Sequence, residues 1–440
     1  SEIYLRTLQH PTVSGFPPGL KVQSFDHLYE HYASFDAVYA EIVETILMLG
    51  RRPQGVIYAV PGHPFIAEAT APEIARRANE EGIPITLVDG ISFLDVTCAA
   101  LGLDPFPHTA LVDSFQLIHA HVPPFPPDAP ALIAQVYSKN VATDVKLTLM
   151  EVYPDEHPVQ LVHGAGTQSP QVEDLPLYAI DRSANVGLLT TLYVPALAPA
   201  TSFEGFLEII SHLRAPDGCP WDKEQTHRSL RPYLLLETYE VLAALDAEDA
   251  DSLCEEMGDL LLQIVLHTQI ASEDGEFRMA DVLQAIHTKI VSRHPHVFGE
   301  IQVDGVEHVL RNWEQIKAQE RKEKGSTKKS ALDGVPLALP ALTQAQEYQT
   351  RAARHGFEWP ELTDVFAKVQ EEIIEVQQAE NDQRRSEEVG DLLSAISNLA
   401  RHYHIDAESA LRDANLRFRQ RFSYIESQAT EQGRIITDLS

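Results

Sequence analysis

The fold of the C-terminal half is decided by Glu372-Ile373-Ile374-Glu375-Val376 and, after a short break, by Glu387-Glu388-Val389-Gly390-Asp391-Leu392-Leu393. Acidic residues three positions apart lie on one face of a helix, and both segments contain such a pair. An apolar stripe accompanies the second segment at helical spacing: Val389, Leu392, Leu393 and Ile396. The stretch therefore predicts two helices, and we expect the apolar stripe of the second to lie in a core.

The same pattern occurs earlier in the chain. Glu237-Thr238-Tyr239-Glu240-Val241 precedes its counterpart by 135 residues, and residues 255–261 precede theirs by 132. One acidic helix face is usually a solvated surface, but two copies of E-x-x-E followed by E-x-x-D indicate an internal duplication. We predict two carboxylate quartets, namely Glu237, Glu240, Glu256 and Asp259 in the first copy and Glu372, Glu375, Glu388 and Asp391 in the second.

Four carboxylates that converge from two helices repel one another unless a cation lies between them. Mg²⁺, with Mn²⁺ as an alternative, fits this arrangement because it prefers oxygen ligands and also bridges substrate phosphates. The small side chain of Ala395, on the carboxylate face of the second copy, leaves room for a ligand. A di-iron centre would need a Glu-x-x-His pair on each of two helices. In this sequence only Glu224 and His227 have that spacing, and they lie outside both quartets, which argues against a di-iron centre.

Basic residues follow each quartet. They are Lys289 and Arg293 after the first, and Arg417 and Arg421, preceded by Asn415, after the second. A guanidinium group suits a phosphate oxygen because it donates two parallel hydrogen bonds. Such a pair by itself is an ordinary surface feature, but beside a carboxylate quartet it favours phosphate binding.

Residues 203–440 resemble the MazG family of nucleoside triphosphate pyrophosphohydrolases. The matching segments outside the quartets are Gly218-Cys219-Pro220-Trp221-Asp222, His294-Pro295-His296-Val297-Phe298-Gly299, Asn312-Trp313-Glu314-Gln315-Ile316-Lys317, Gly356-Phe357-Glu358-Trp359 and Ala414-Asn415-Leu416-Arg417-Phe418. The resemblance implies two all-α helical bundles, at residues 203–319 and 332–440, and a homodimer. It also implies Mg²⁺-dependent hydrolysis of nucleoside triphosphates to monophosphates and pyrophosphate.

The family motif, E-E-x-x-E followed by E-x-x-D, is complete in the second copy. By resemblance, Glu372, Glu375, Glu388 and Asp391 would hold Mg²⁺, Glu371 or Glu372 would be the general base, and Asn398, Arg401, Asn415, Arg417 and Arg421 would face the nucleotide. Arg417 stands where the family often has lysine. The first copy departs further, since Leu236 replaces the first glutamate and His287 stands where asparagine would match.

The first 195 residues alternate strand-like and helix-like runs. Residues 55–60 and 83–88 predict strands on either side of a helix at 67–81, which is typical of a parallel sheet. The proline-rich run 123–127 predicts a loop, and residues 159–162 and 188–194 predict further strands.

Two segments separate the predicted domains. The alanine- and proline-rich residues 195–202 predict a linker, after which the apolar period changes from about 2 to about 3.6. The charged residues 320–329 predict a solvated hinge between the two helical parts.

Residues 1–197 resemble the tetrapyrrole (corrin/porphyrin) methylase family. The segments that carry the resemblance are Val56-Ile57-Tyr58-Ala59-Val60-Pro61-Gly62-His63-Pro64, Asp89-Gly90-Ile91-Ser92-Phe93-Leu94-Asp95, Leu161-Val162-His163-Gly164-Ala165-Gly166 and Thr191-Leu192-Tyr193-Val194-Pro195. The resemblance implies an α/β domain that binds S-adenosylmethionine in a cleft, with Pro61, Gly62, His63, Gly90 and Ser92 as the residues around the cofactor. The family's first strand and G-x-G-P-G turn are absent from this sequence, and His63 stands where aspartate is usual.

Composition limits the partners. The formal net charge of -31 disfavours long nucleic acids, whose phosphates it repels. No apolar run reaches the roughly 18 residues of a membrane span. Three scattered cysteines give neither a disulfide framework nor a zinc pattern, which suits a reducing, cytoplasmic setting.

Three functions remain open at this point. The first is the pyrophosphohydrolase. The second is an S-adenosylmethionine-dependent methyltransferase to which the helical repeats are accessory. The third is a non-catalytic nucleotide-sensing scaffold, in which the N-terminal half is a degenerate domain used for assembly or regulation.

Overall fold

The computed structural model of the chain describes residues 2–32, 34–323 and 330–433. It contains two compact units, Ser1–Val282 and Leu283–Ser440, and each is described by itself. The boundary between the units lies within a helix, so the domain limits at 197, 203, 319 and 332 stay predictions.

The first unit begins with a three-stranded parallel sheet. Its elements are β1 (Glu2–Leu5), β2 (Gln23–Ser24), α1 (Asp26–His31), α2 (Phe35–Gly50), β3 (Val56–Ala59) and α3 (Thr70–Glu80), with strand order β2-β1-β3. The core between the sheet and helices α2 and α3 includes Ile42, Leu47 and Ile74, all buried. The predicted strand at 55–60 is confirmed by β3, although Ile57 on one of its faces is 50% exposed.

The predicted strand at residues 83–88 is wrong. This segment has no regular secondary structure, and Val88 is 78% exposed. A strand forms only when a neighbour pairs with its backbone N–H and C=O groups, and none of the strands in the described residues pairs with this segment. The preceding helix, α3, is confirmed but starts at Thr70, because Ala67 has a positive φ of 53° that helices do not adopt.

A second, mixed sheet follows. Its elements are α4 (Phe93–Leu101), β4 (Ala110–Asp113), α5 (Ser114–Leu117), β5 (Ala131–Ala134), α6 (Lys139–Met150), β6 (Pro158–His163), β7 (Gln171–Pro176) and β8 (Thr190–Val194), in strand order β4-β5-β8-β6-β7. The predicted strands at 159–162 and 188–194 are confirmed by β6 and β8. Strand β5 is buried along its whole length, which explains why its sequence is a continuous apolar run.

The predicted linker at 195–202 lacks helix and strand, but hydrogen bonds at three points attach it to the residues of the preceding α/β part. His157 Nε2 donates to the carbonyl oxygen of Pro195 over 2.9 Å, and the Leu197 amide donates to the carbonyl of Pro127 over 2.8 Å. Ser202 Oγ donates to Asp128 Oδ2 over 2.5 Å and accepts from the Gly205 amide, which caps the next helix. The segment is therefore held by hydrogen bonds to the α/β part and is not a free linker.

The remainder is helical, as predicted. The helices are α7 (Phe203–Arg214), α8 (Pro220–Glu224), α9 (His227–Asp246), α10 (Ala250–Glu273), α11 (Met279–Arg293), α12 (Pro295–Phe298), α13 (Val306–Glu323), α14 (Ala341–Ala353), α15 (Leu362–Gln378), α16 (Asp382–His402) and α17 (Ala407–Glu431). Helix α9 packs on α10, and α15 packs on α16. The predicted hinge is wrong for residues 320–323, which belong to α13, while 324–329 lie outside the described residues.

The apolar stripe of α16 does not lie in a core of this chain. Val389, Leu393 and Ile396 are 41%, 48% and 43% exposed and Leu392 is half-buried, whereas Glu388 and Ser397 on another face are buried. The helix thus directs its carboxylate face toward α15. Among the described residues, every helix is too short or too polar to span a bilayer.

Candidate functional site

The second carboxylate quartet converges between α15 and α16. These helices are joined by three residues, which makes them an antiparallel hairpin. One carboxylate oxygen each from Glu372, Glu388 and Asp391 lies within 4.8 Å of the other two. The carboxyl group of Glu375 lies within hydrogen-bond distance of that of Glu388. The structure therefore brings the four residues of this quartet together.

Two of these carboxylates are buried. Glu372 is 4% exposed and Glu388 is 3% exposed, although acidic side chains are seldom buried unless they are paired. Burial raises the pKa of Glu388; Arg384 opposes this shift, and the charges of Glu375 and Glu372 add to it. The cluster accumulates negative charge where water screens it poorly.

Two cations that the sequence analysis missed partly balance this charge. Lys368 Nζ lies 2.9 Å from Glu372 Oε1 and 3.2 Å from Glu371 Oε2. Arg384 Nη2 lies 2.7 Å from Glu388 Oε1. The hydrogen bond to Glu372 is the main reason that the pKa of Lys368 is raised. The spacing of Lys368 to Glu372 and of Arg384 to Glu388 is i,i+4, a signal that the sequence does contain.

The donor set suits a hard divalent cation. Glu372 Oε2 is buried, and no hydrogen-bond donor reaches it in the part of the chain that the structure describes. An ionised carboxylate can only accept hydrogen bonds, so neighbouring carboxylates do not satisfy this atom, whereas a cation would. The oxygens of Glu372, Glu375, Glu388 and Asp391 are the kind of ligand that Mg²⁺ prefers, and these residues would hold it.

Two of the predicted nucleotide-facing residues lie on the same helix as two of the carboxylates. Asn398 and Arg401 follow the carboxylates on α16, and Arg401 Nε donates to Asn398 Oδ1 over 3.0 Å. Arg401 Nη2 also pairs with Glu358 Oε1 over 2.6 Å. Both side chains are half-buried, so their positions are fixed by contacts within the chain.

The other predicted nucleotide-facing residues are on α17. Asn415, Arg417 and Arg421 are exposed. Among the hydrogen bonds and ion pairs of residues 330–433, none joins these three side chains to the quartet. Their predicted role stays a prediction.

The first quartet also converges, between α9 and α10. Carboxylate oxygens of Glu237, Glu256 and Asp259 lie within 4.8 Å of one another, and Glu240 hydrogen bonds to Glu237. Burial raises the pKa of Glu237 and of Glu256, and the neighbouring acidic groups raise both further.

The first copy lacks the two cations of the second. The positions of Lys368 and Arg384 are occupied by Tyr233 and Ser252, so neither ion pair has a counterpart there.

The basic pair predicted to accompany the first quartet lies in the other compact unit. Arg293 Nη2 pairs with Glu320 Oε2 over 2.7 Å, and the guanidinium carbon lies 5.8 Å from the centre of the Trp313 ring. Lys289 is exposed. A phosphate-binding role for Lys289 and Arg293 remains a prediction.

In the N-terminal part, the two loops predicted to bind a cofactor touch each other. Residues 61–63 follow β3 and residues 89–92 precede α4. His63 Nε2 lies 3.6 Å from Asp89 Oδ1, and a Cβ atom added to Gly90 would collide with the carbonyl oxygen of Gly62. Ser92 is buried and forms a capping box with Asp95 at the start of α4. Pro61, Gly62, His63, Gly90 and Ser92 thus lie on two loops that contact each other, and cofactor binding there stays a prediction.

The Glu-x-x-His sequence at Glu224 and His227 does not form part of either cluster. His227 Nδ1 lies 2.7 Å from His267 Nδ1 in α10, and the two rings stack with an interplanar angle of 5°. One proton must lie between these nitrogens, so the pair is stable when at least one ring is neutral. Neither His227 nor His267 belongs to a cluster of possible metal ligands among the described residues.

The histidine pair gives a pH prediction. Burial and the charge of His227 lower the pKa of His267 from its ordinary value of 6.5. A base whose pKa is lowered by folding contributes stability above its ordinary pKa and loses it as the pH falls. Lowering the pH from 7 to 5.5 is therefore expected to be less favourable to the melting temperature of the wild-type protein than to that of His267→Gln. The same pH-dependent change in both proteins, measured by circular dichroism, would contradict the prediction.

Comparisons with known proteins match both parts of the chain. Residues 225–298 match the model of the MazG nucleotide pyrophosphohydrolase domain, and residues 3–181 match that of the Tetrapyrrole (Corrin/Porphyrin) Methylases. The "Uncharacterized protein YabN" of Bacillus subtilis (strain 168) is 41% identical over 453 aligned residues, which cover 100% of this chain and 90% of that protein.

Two further relatives match about half of the chain. The "Nucleoside triphosphate pyrophosphohydrolase" of Escherichia coli (strain K12) is 48% identical over 233 residues, or 52% of this chain and 88% of that protein. The "Nucleoside triphosphate pyrophosphohydrolase/pyrophosphatase MazG" of Thermotoga maritima is 42% identical over 237 residues, or 54% of this chain and 90% of that protein. The chain therefore spans nearly the full length of these relatives.

Proposed function

The chain belongs to the MazG family of nucleotide pyrophosphohydrolases, with a tetrapyrrole methylase domain in its N-terminal part, and on this basis we propose that the cluster of α15 and α16 hydrolyses nucleoside triphosphates. The products would be a nucleoside monophosphate and pyrophosphate, and the reaction would need Mg²⁺. The main support is the burial of Glu372 and Glu388 beside Asp391, together with one oxygen of Glu372 that no donor reaches among the described residues.

When bound, Mg²⁺ would neutralise phosphate charge and lower the pKa of a water molecule. Residues of the chain itself would position the ligand oxygens and accept the proton. Glu375, Glu388 and Asp391 fix the geometry of the ligand oxygens, and Glu371 or Glu372 accepts the proton of the attacking water. Both candidate bases form ion pairs with Lys368. Attack at the α–β linkage then releases pyrophosphate.

The two cations beside the cluster would contact the phosphates of the substrate. Lys368 and Arg384 are attached to carboxylates through i,i+4 pairs, and part of each side chain is exposed. A triphosphate that enters the site meets these two positive charges at the rim, with Arg401 further along α16. Such contacts position the phosphates before reaction.

The test is pyrophosphate release from a panel of nucleoside and deoxynucleoside triphosphates, with Mg²⁺ and with EDTA. We expect equal amounts of pyrophosphate and monophosphate, and none with EDTA. Release of orthophosphate and diphosphate would contradict attack at the α–β linkage. A folded protein that binds triphosphates but hydrolyses none of them would be the nucleotide-sensing scaffold instead.

The exposed stripe of α16 supports a homodimer. Val389, Leu393 and Ile396 form an apolar face of the kind that a second copy covers in helical bundles. We expect a dimer in sedimentation velocity at micromolar concentration, and a monomer after Leu393→Glu, which places a charge in the interface. Gln383→Glu adds the same charge to an exposed position of the same helix and should leave the dimer intact. A monomeric wild-type protein would exclude this interface.

The contact between residues 61–63 and 89–92 supports a second candidate function, S-adenosylmethionine binding by the N-terminal part. Isothermal titration calorimetry with S-adenosylmethionine tests it. Binding would support a methyltransferase. Failure to bind would favour a domain that serves assembly or regulation.

A further inference from the structure

The loop between α14 and α15 presents two aromatic side chains to the surface. Phe357 is 84% exposed and Trp359 is 47% exposed. An aromatic ring gains free energy when it is covered, so two exposed rings on one short loop form a surface that a flat apolar group can bind. Such a surface binds well when the backbone that carries it is already fixed.

The backbone of this loop is fixed at both aromatic residues. Gly356 has a φ of 80°, and the amide of Phe357 donates to the carbonyl oxygen of Ala352 over 3.1 Å. This bond and the left-handed glycine end α14 in a tight turn that sets the direction of the chain. Pro360 restricts the backbone of Trp359 to extended conformations. Little conformational entropy is therefore lost when a ligand covers the two rings.

Glu358 attaches the loop to the carboxylate face of α16. Its Oε1 atom lies 2.6 Å from Arg401 Nη2 and 3.6 Å from His402 Nε2. His402 follows Asp391 by about three helical turns, so the two residues share a helix face and lie about 16 Å apart along the helix axis. The carboxylates and the aromatic loop therefore lie at two levels of one face of α16.

The groups between these two levels favour an uncharged part of a ligand. Asn398 lies two helical turns from Asp391 on the same face, and Arg401 Nε donates to Asn398 Oδ1 over 3.0 Å. A guanidinium group can only donate, so this bond directs the N–H groups of Asn398 Nδ2 away from Arg401. Glu358 offsets the charge of Arg401. Hydrogen-bond donors and aromatic rings without net positive charge suit the sugar and base of a nucleotide better than its phosphates.

We propose that Phe357 and Trp359 stack on the base of the nucleoside triphosphate, while Asn398 Nδ2 donates a hydrogen bond to an oxygen of its sugar. The proposal rests on the proposed function, because it takes the quartet as the phosphate end of the site. Phosphates, sugar and base follow one another in a nucleotide in the same order as the quartet, Asn398 and the loop along α16. Every base has an aromatic face, so stacking accepts all bases. The loop would therefore select nucleotides over inorganic polyphosphates without choosing among the bases.

The experiment measures the binding of two ligands to the full chain by isothermal titration calorimetry with Mg²⁺. One ligand is an α,β-methylene nucleoside triphosphate, whose α–β linkage resists hydrolysis, and the other is inorganic triphosphate, which has no base. We expect Trp359→Ala to weaken binding of the nucleotide analogue about tenfold, as for the loss of one stacking contact, and to leave the affinity for inorganic triphosphate unchanged. Trp359→Phe keeps an aromatic face and should restore most of the affinity for the analogue.

Trp221→Ala is the matched control. It removes a tryptophan that is also exposed but lies on α8, outside the hairpin of α15 and α16, and it should change neither affinity. Equal affinity of the wild-type protein and Trp359→Ala for the analogue would overturn the proposal, and so would an equal loss for both ligands. A change from dimer to monomer in Trp359→Ala, with both affinities unchanged, would also overturn it and assign the loop to a contact between subunits.

Pyrophosphate release by the wild-type protein separates this proposal from the proposed function. Release together with unchanged binding of the analogue by Trp359→Ala refutes the base site and leaves the hydrolytic function in place. Base-dependent binding without release refutes the hydrolytic function and leaves the base site in place.

Discussion

Asp391→Asn is expected to lower kcat for pyrophosphate release by about 10³-fold. Asp391 is one of three residues whose carboxylate oxygens lie within 4.8 Å of one another, and the amide removes a negative charge from the ligand set. Cation-assisted charge stabilisation contributes several kcal/mol to such reactions, and each 1.36 kcal/mol changes the rate tenfold. Loss of roughly 4 kcal/mol therefore gives the stated factor. The measurement is steady-state pyrophosphate release at saturating triphosphate and Mg²⁺.

Asp382→Asn is the matched control. It makes the same chemical change on the same helix, but Asp382 has a fully exposed side chain that pairs with Arg385 on the surface. This variant should retain wild-type turnover. If Asp391→Asn also retained it, with circular dichroism showing both variants folded, the cluster of α15 and α16 could not be the catalytic centre.

Gly90→Ala is expected to destabilise the N-terminal part by about 1–3 kcal/mol, the usual cost of forcing an extra carbon atom into a packed site. The new methyl group would meet the carbonyl oxygen of Gly62, a backbone atom that cannot turn away. The two loops must then separate, so any affinity for S-adenosylmethionine should fall about 10- to 100-fold, since 1.4 kcal/mol is tenfold in affinity. Urea unfolding and calorimetry measure the two effects.

Gly15→Ala is the control for this prediction. Apart from Gly15 itself and its chain neighbours, no atom of the described residues lies within 4 Å of the position where its Cβ would be built, and its φ is outside the left-handed region. The substitution should change stability by a few tenths of a kcal/mol at most. Wild-type stability and cofactor affinity in Gly90→Ala would show that the contact between the loops is not required for either.

The helices of the carboxylate clusters could be predicted from sequence because their signals are local. The i,i+3 spacing of Glu372 with Glu375 and of Glu388 with Asp391 places each pair on one face without knowledge of the rest of the chain. The ion pairs of Lys368 and Arg384 are equally local and could have been found from their i,i+4 spacing.

Other features depend on distant partners, and there the sequence misled. Residues 83–88 have the composition of a strand, but a strand needs a neighbour to pair with. The stripe of Val389, Leu393 and Ile396 was expected in a core, because periodicity shows which residues share a face and not what covers that face. The attachment of residues 195–202 depends on Pro127, Asp128 and His157, none of which is nearby in sequence.

The attachment of residues 195–202 limits where this protein can be cut. A protease must draw several residues of extended chain into its active-site groove, and it therefore prefers segments that detach easily. Here His157, the Pro127 carbonyl and Asp128 each bond to the connection, and Ser202 starts helix α7 while bonding to the preceding domain. Digestion should not separate the α/β part from the helices at this point, and a gene split here would leave each fragment with a damaged end.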